Sequence, residues 1–313
     1  MLLRIPRSWT LPAAEATPEA VWRERRALLR AMGSGVGAAA LLGRGAAAQE
    51  TGEGAAPPAP GPAARNPRYA LERPLTDERV AARHNIFDEF AGGRDEVWEA
   101  AAGFRTHPWR IHVGGQVERQ QTLEPSRLAL RFGIEERLYR HRCVETWAMA
   151  VPWTGFPLAK LVELARPLAR ARYVRFVSAA RPDEMPGWYA TRRVFPYYEA
   201  LSLEEATHEL AFVATGIYGH PLPPQHGAPL RLVVPWKYGF KSAKSIVGIA
   251  FTAERPATFW SDLSPERYDF LANVDPTSVS PWPQSHETML GTEERRETLP
   301  FNGYAELVAA LYR

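Results

Sequence analysis

The sequence predicts an α+β domain built on a mixed sheet, and three observations carry that reading. Short apolar strand patterns and short amphipathic helix patterns alternate along residues 69–313 with no recurring strand–helix–strand period and no fixed-length repeat. No GxGxxG or GxxxxGKS loop is present, which argues against a doubly wound nucleotide fold. Proline makes up 28 of the 313 residues, an elevated share that cuts the chain into short elements.

Each element has a local cause. Leu75-Thr76-Asp77-Glu78 reads as a helix start, with Thr76 as cap and acids in the first turn. Residues 109–117 alternate and then break, as a strand does. Residues 157–165 fit a short helix with Leu158, Leu161, Val162 and Ala165 on one face. Residues 173–177 read as a strand, and 203–208 as a helical turn with Glu204 and Glu205 outward. Three apolar strands follow: 210–215 ending at Gly216, 230–234 stopped by Pro235, and 246–251.

The formal charge is +3, with a pI near 9.0, but the basicity is local. Residues 1–48 hold seven arginines against three glutamates, a net of +4, which leaves the remainder at −1. The body therefore lacks the excess of cations that a nucleic-acid backbone requires. Arg25-Arg26 precede a mildly apolar stretch, 31–42, and the small residues Ala46-Ala47-Ala48. That order describes an export signal of the twin-arginine type, with cleavage after Ala48; an amphipathic N-terminal helix is the structural alternative. The apolar stretch is shorter than the roughly 20 residues that span a bilayer, so no stable transmembrane segment is expected in the mature chain. Residues 49–68 are rich in Pro, Gly and Ala and read as a linker or extended arm, which leaves 69–313 as the folded body.

Two constellations carry chemistry. Cys143, the single cysteine, excludes an internal disulfide framework and follows Arg140-His141-Arg142. Cations turned toward its sulfur would favour the thiolate, a nucleophile or soft metal ligand. A small buried hydrophobe is the plainer reading, and a Cys–His pair with His141, His226 or His286 as base stays open. The second constellation is Arg231 with 236–245, which contains Lys237, Lys241 and Lys244, three of the four lysines of the chain. So compact a cationic group suits one phosphate rather than a polymer, though an exposed basic loop has the same composition. The Pro-rich run 220–229 before Arg231 is suited to holding a ligand rigidly.

Several ordered segments together resemble the MsrP (YedY) family, the catalytic subunits of bacterial protein-methionine-sulfoxide reductase systems within the sulfite-oxidase-like molybdopterin enzymes. The matching pieces are His84-Asn85-Ile86-Phe87-Asp88-Glu89-Phe90, 135–147, Pro152-Trp153-Thr154-Gly155-Phe156-Pro157-Leu158, Met185-Pro186-Gly187, 219–231, 234–244 and Phe301-Asn302-Gly303-Tyr304. The resemblance implies a sulfite-oxidase-like fold with mixed sheets and short helices. It also implies one molybdenum on one molybdopterin without an attached nucleotide, with Cys143 as sulfur ligand and the pterin dithiolene giving two further sulfurs. Asn85, Asp88, Glu89, Ser178, His226, Arg231, Ser242, Ala243 and Lys244 occupy its cofactor-contacting positions. Ser178 stands where the family has Thr, Asp88 where Tyr is frequent and His226 where Asn is common. Ser242, Ala243 and Lys244 fall on the segment that wraps the pterin phosphate.

The implied reaction reduces methionine sulfoxide in oxidised exported proteins of the periplasm. Electrons would come from an MsrQ-like membrane haem protein. Trp147, Trp153, Tyr189 and Tyr197 are candidates for an amphipathic mouth. Sulfite oxidation, with Arg140 and Arg142 gathering the anion, is the alternative within the fold. A non-enzymatic exported binding module, with Arg231 and Lys244 exposed, is the alternative outside it.

Overall fold

In a computed structural model, the structure describes residues 63–190 and 195–313. The expected leader, 1–48, and the linker as far as residue 62 lie outside the described residues. Within them the chain opens with β1 (Ala64–Arg65), which extends along the first sheet as an arm. Helix α1 (Glu78–Arg83) is capped by Asp77, whose carboxylate accepts from the Arg79 and Val80 amides at 2.9 and 3.4 Å. Thr76, the expected cap, sits one residue too early; its hydroxyl accepts instead from the Ala150 amide at 3.1 Å. After α2 (Val97–Ala100) come β2 (Ile111–Gly115), β3 (Gln121–Leu123), α3 (Pro125–Phe132), β4 (Glu135–Arg142) and β5 (Trp147–Pro157).

Helix α4 (Leu158–Ala165) buries Leu158, Leu161, Val162 and Ala165, the stripe that its 3.6-residue period predicts. The chain continues through β6 (Tyr173–Ser178), α5 (Gly187–Ala190), β7 (Tyr198–Ser202) and α6 (Leu203–Thr207). Glu204 is exposed as expected, but Glu205 is not: it closes a capping box with Ser202 and is buried. Its charge is met by Lys237 Nζ at 2.5 Å. The remaining elements are β8 (Phe212–Ile217), β9 (His220–Pro221), β10 (Arg231–Val233), β11 (Ile246–Thr252), α7 (Phe259–Leu263), β12 (His286–Met289), β13 (Arg295–Glu297) and α8 (Ala305–Val308).

These strands form an eight-stranded and a five-stranded sheet. The first runs β1-β4-β5-β12-β13, with β8 also paired to β5 and carrying β9 and β10; the second runs β3-β2-β11-β6-β7. Both are mixed: β1 with β4, β5 with β12, and β2 with β11 are parallel, amid antiparallel neighbours. The architecture is therefore the expected α+β one, with mixed sheets and short helices. The β10–β11 connection crosses from one sheet to the other and carries residues 234–245 into the space where both sheets end. No helix among the described residues is long and apolar enough to cross a membrane.

Candidate functional site

A cavity of about 480 Å³ opens where the sheets meet. The first sheet contributes Cys143, at the end of β4, and Arg231, at the start of β10; the second contributes Ser178, at the end of β6. Asn85, Asp88 and Glu89 line it from the loop after α1, and His226, Ser242 and Lys244 from the segments flanking β10. Nine of the ten cofactor-contacting positions that the family resemblance implied thus line one cavity from across the chain. Ala243 is the exception: it is buried without lining the cavity, and its carbonyl accepts from the Leu232 amide at 2.9 Å. Of the aromatic candidates, Trp147, Trp153 and Tyr197 line the cavity, whereas Tyr189 is 76% exposed elsewhere.

Cys143 sits in a tight turn. Its amide donates to the Trp147 carbonyl at 2.9 Å, its carbonyl accepts from the Thr146 amide at 3.0 Å, and Thr146 takes φ 75° to close the loop. The Glu145 amide donates to Sγ at 3.5 Å. Activation of this thiol depended on the fold turning its cationic neighbours toward the sulfur, and the side chains of Arg140 and Arg142 do not enter the cavity beside it. Successive strand residues face opposite ways, so His141 joins the cavity wall while Arg140 and Arg142 share the other face of β4. Arg140 donates to the Asn302 carbonyl at 3.2 Å, and Arg142, fully buried, pairs with Glu287 at 3.3 Å. Burial pushes the Cys143 thiol up to about 12, a rise that the Glu145 amide and the Arg142 charge offset only in part. The isolated thiol is thus protonated at neutral pH, and a metal must displace its proton to bind.

The basic constellation also divides. Lys237 pairs with Glu205, and Lys241 with Glu199 at 3.0 Å, both inside the protein; only Lys244 reaches the cavity. Lys244 Nζ donates to the Ile86 carbonyl at 2.5 Å and lies 4.8 Å over the Phe87 ring. Desolvation and the nearby Arg231 charge lower its pKa to about 7, against the opposing pull of Glu89. Burial lowers Arg231 to about 9. Its guanidinium is held only by the carbonyls of Leu232, His226 and Ser242 and by the Trp153 ring at 4.9 Å. No carboxylate pairs with it among the described residues, so a buried cation faces the cavity without a counterion. That arrangement, rather than an exposed basic loop, is what a bound anion would complete. Gly227 at φ +95° lets the backbone pass Lys244: a Cβ there would lie 2.6 Å from the Lys244 Cβ.

Other groups on the wall are neutral or unsatisfied. Burial, then the charges of Arg231 and Lys244, hold His141 and His226 down at about 3, so both are uncharged at pH 7. Burial raises Glu89 to about 7, and its Oε1 has no hydrogen-bond partner; nor do Ser178 Oγ, Trp153 Nε1 and His84 Nε2. Native interiors rarely leave so many polar atoms unpaired in one place, which marks a polar ligand site. Near the sulfur the character changes: Val144, Tyr238 and Val274 pack with Cys143, joined by Ile86, Trp147, Phe240 and Tyr268. Sequence reasoning missed most of this wall and the rim formed by Trp260, Leu263, Arg267 and Trp282. Among the described residues no three His, Cys, Asp or Glu side chains gather to hold a metal, and Cys143 is the one thiol on this wall. One thiol, an uncompensated buried cation and a run of orphaned polar atoms fit a molybdopterin with an anionic tail.

A family model described as "Oxidoreductase molybdopterin binding domain" matches residues 99–260, just over half of the chain. The sulfane dehydrogenase SoxCD from Paracoccus pantotrophus is similar at 17% identity, with a TM-score of 0.41. That match covers 49% of this chain and 40% of the other, so the chain accounts for less than half of that relative's length.

Proposed function

From the chain's membership of the molybdopterin-binding oxidoreductase family, we propose that it reduces methionine sulfoxide residues in exported proteins to methionine. In this reading it is exported by the twin-arginine route to the periplasm and receives electrons from a membrane haem protein of the MsrQ kind. The observation that carries the choice of substrate is the apolar wall against Cys143. An oxyanion such as sulfite needs convergent cations to offset its desolvation. Arg140 and Arg142, the two cations nearest in sequence, face away from the cavity, each held by a partner on the C-terminal side of the chain. A neutral sulfoxide carried on an alkyl chain suits that wall better, because sulfur and methylene groups pack favourably on aromatic rings.

When bound, a molybdenum–molybdopterin centre supplies two-electron oxygen-atom transfer, so that sulfoxide, two electrons and two protons give thioether and water. The protein's part is to bind and orient. Arg231 and Lys244 would hold the pterin phosphate, and Ser178, Glu89 and Asn85 its ring polar groups. Cys143 would lose its proton and ligate the metal. In the cofactor-free chain His141 and His226 are neutral at pH 7 and add no charge to the wall. The aromatic rim excludes water from the sulfoxide.

Paired steady-state kinetics with an oxidised protein and with sulfite test the reading. We expect kcat/KM for the oxidised protein to exceed that for sulfite by at least about tenfold, about 1.4 kcal/mol of transition-state binding. Efficient sulfite oxidation with no reduction of peptide methionine sulfoxide would overturn it.

A further inference from the structure

The segment 284–288 grips nearly every residue of the cysteine turn, and it lies outside the part of the chain that the family model matches. Gln284, fully buried, donates from Nε2 to the Val144 carbonyl at 2.7 Å. The Thr288 amide donates to the Thr146 carbonyl at 2.9 Å. Arg142 donates from Nη2 to the His286 carbonyl at 3.1 Å and from Nη1 to the Cys143 carbonyl. Glu287 holds that guanidinium in place: its Oε2 lies 3.3 Å from Arg142 Nε, while its Oε1 pairs with Arg73 at 2.9 Å. The side chains of Arg142 and Glu287 are 0% and 2% exposed, so each charge depends on the other.

We propose that residues 284–288 form a clamp that sets the position of the Cys143 sulfur, with Glu287, through Arg142, and Gln284, through the Val144 carbonyl, as its positioning residues. Apart from the clamp, the turn is held by its own short hydrogen bonds, by the Arg94–Glu145 ion pair at 2.5 Å and by packing on Tyr238 and Val274; among the described residues the clamp alone grips the Val144 and Thr146 carbonyls from outside the turn. A metal centre needs its ligand sulfur fixed to a fraction of an ångström, and a turn between two strands does not supply that unaided. The inference rests on Cys143 as the sulfur ligand and not on which sulfur compound is reduced or oxidised.

Cys143 is the single cysteine, so thiol alkylation reports on this turn alone. The full chain, prepared without molybdopterin, is treated with iodoacetamide at pH 9. Gln284→Leu and Glu287→Gln should each raise the alkylation rate by at least about fivefold, as local opening exposes the sulfur. Glu287→Asp should bring the rate back toward wild type. Leu161→Ala, a core truncation in α4, should lower global stability without that acceleration. The molybdopterin-loaded clamp variants should also lose molybdenum faster on dialysis. Rates for both clamp variants no higher than for Leu161→Ala would overturn the proposal. If Glu287→Gln fails to fold, Gln284→Leu, which changes no charge, decides the matter. The alkylation arm uses neither cofactor nor substrate, so it stands or falls apart from the proposed reaction.

Discussion

Replacing Lys244 with methionine should move stability and cofactor retention in opposite directions. In the cofactor-free protein the ammonium is desolvated beside Arg231, and its pKa falls to about 7. An unfolded lysine titrates near about 10.4; at about 1.36 kcal/mol per unit, and with the group half-protonated at pH 7, the native state bears a cost on the order of 4 kcal/mol. Methionine removes that cost, fills similar space, and loses the hydrogen bond to Ile86 and the contact over Phe87. A net gain of about 1–3 kcal/mol at pH 7 should remain.

The pH dependence follows. Between about pH 7 and about 10.4 native Lys244 has released a proton that the unfolded chain still holds, so stability rises with pH; below about 7 the cost is fully present. Glu89, raised to about 7, works in the other direction: stability falls as pH climbs from about 4.3 to about 7. Wild type should therefore show a minimum near neutrality, facing as it does Glu89, Arg231 and Cys143 around one ammonium. Lys244→Met should lose the rise above pH 7 and prolong the Glu89 decline, because the Lys244 charge, after a backbone hydrogen bond, helps to lower that carboxyl. Loaded protein should behave oppositely, since loss of a charge-assisted contact of about 1.5–3 kcal/mol weakens phosphate binding roughly 10- to 150-fold. Urea titrations of the cofactor-free chain at pH 6, 7 and 9, with pterin content after dialysis, measure both. A variant that is less stable than wild type by more than about 1 kcal/mol at pH 7, or that keeps its pterin equally well, would refute the reasoning.

Cys143→Ser should leave a folded chain that still takes up pterin through Arg231 and Lys244, but with no activity, because a hydroxyl is a poor soft ligand. X-ray absorption should then show one molybdenum–sulfur contribution fewer, and an unchanged spectrum would remove Cys143 from the coordination sphere. Changing Arg25 and Arg26 together to lysine should trap the precursor inside the cell, read by fractionation and N-terminal sequencing. Recovery of exported protein that retains residues 1–30 would sink the export reading.

Local chemistry was legible in the sequence wherever one element decides its own structure. The α4 stripe and the apolar strands β6, β8, β10 and β11 follow from period and turn chemistry, whereas most of the nine polar or sulfur-bearing residues that share one cavity were named through the family resemblance. β4 was hidden because Glu135 to Arg142 is mostly charged, and β5 because Pro152 and Pro157 mimic breaks; the two strands stabilise each other by pairing over eight residues. What the sequence could not decide was which way a charge points. Arg142, Lys237, Lys241 and Glu205 look like surface or site groups in one dimension, yet each is buried against a partner more than 30 residues away. Burying a charge is tolerable only when its counterion arrives with it. The sequence by itself therefore determined the fold class and the reactive inventory. Only the tertiary structure, by choosing the ion pairs, left Arg231 and Lys244 facing the cavity and drew Arg140, Lys237 and Lys241 into contacts away from it.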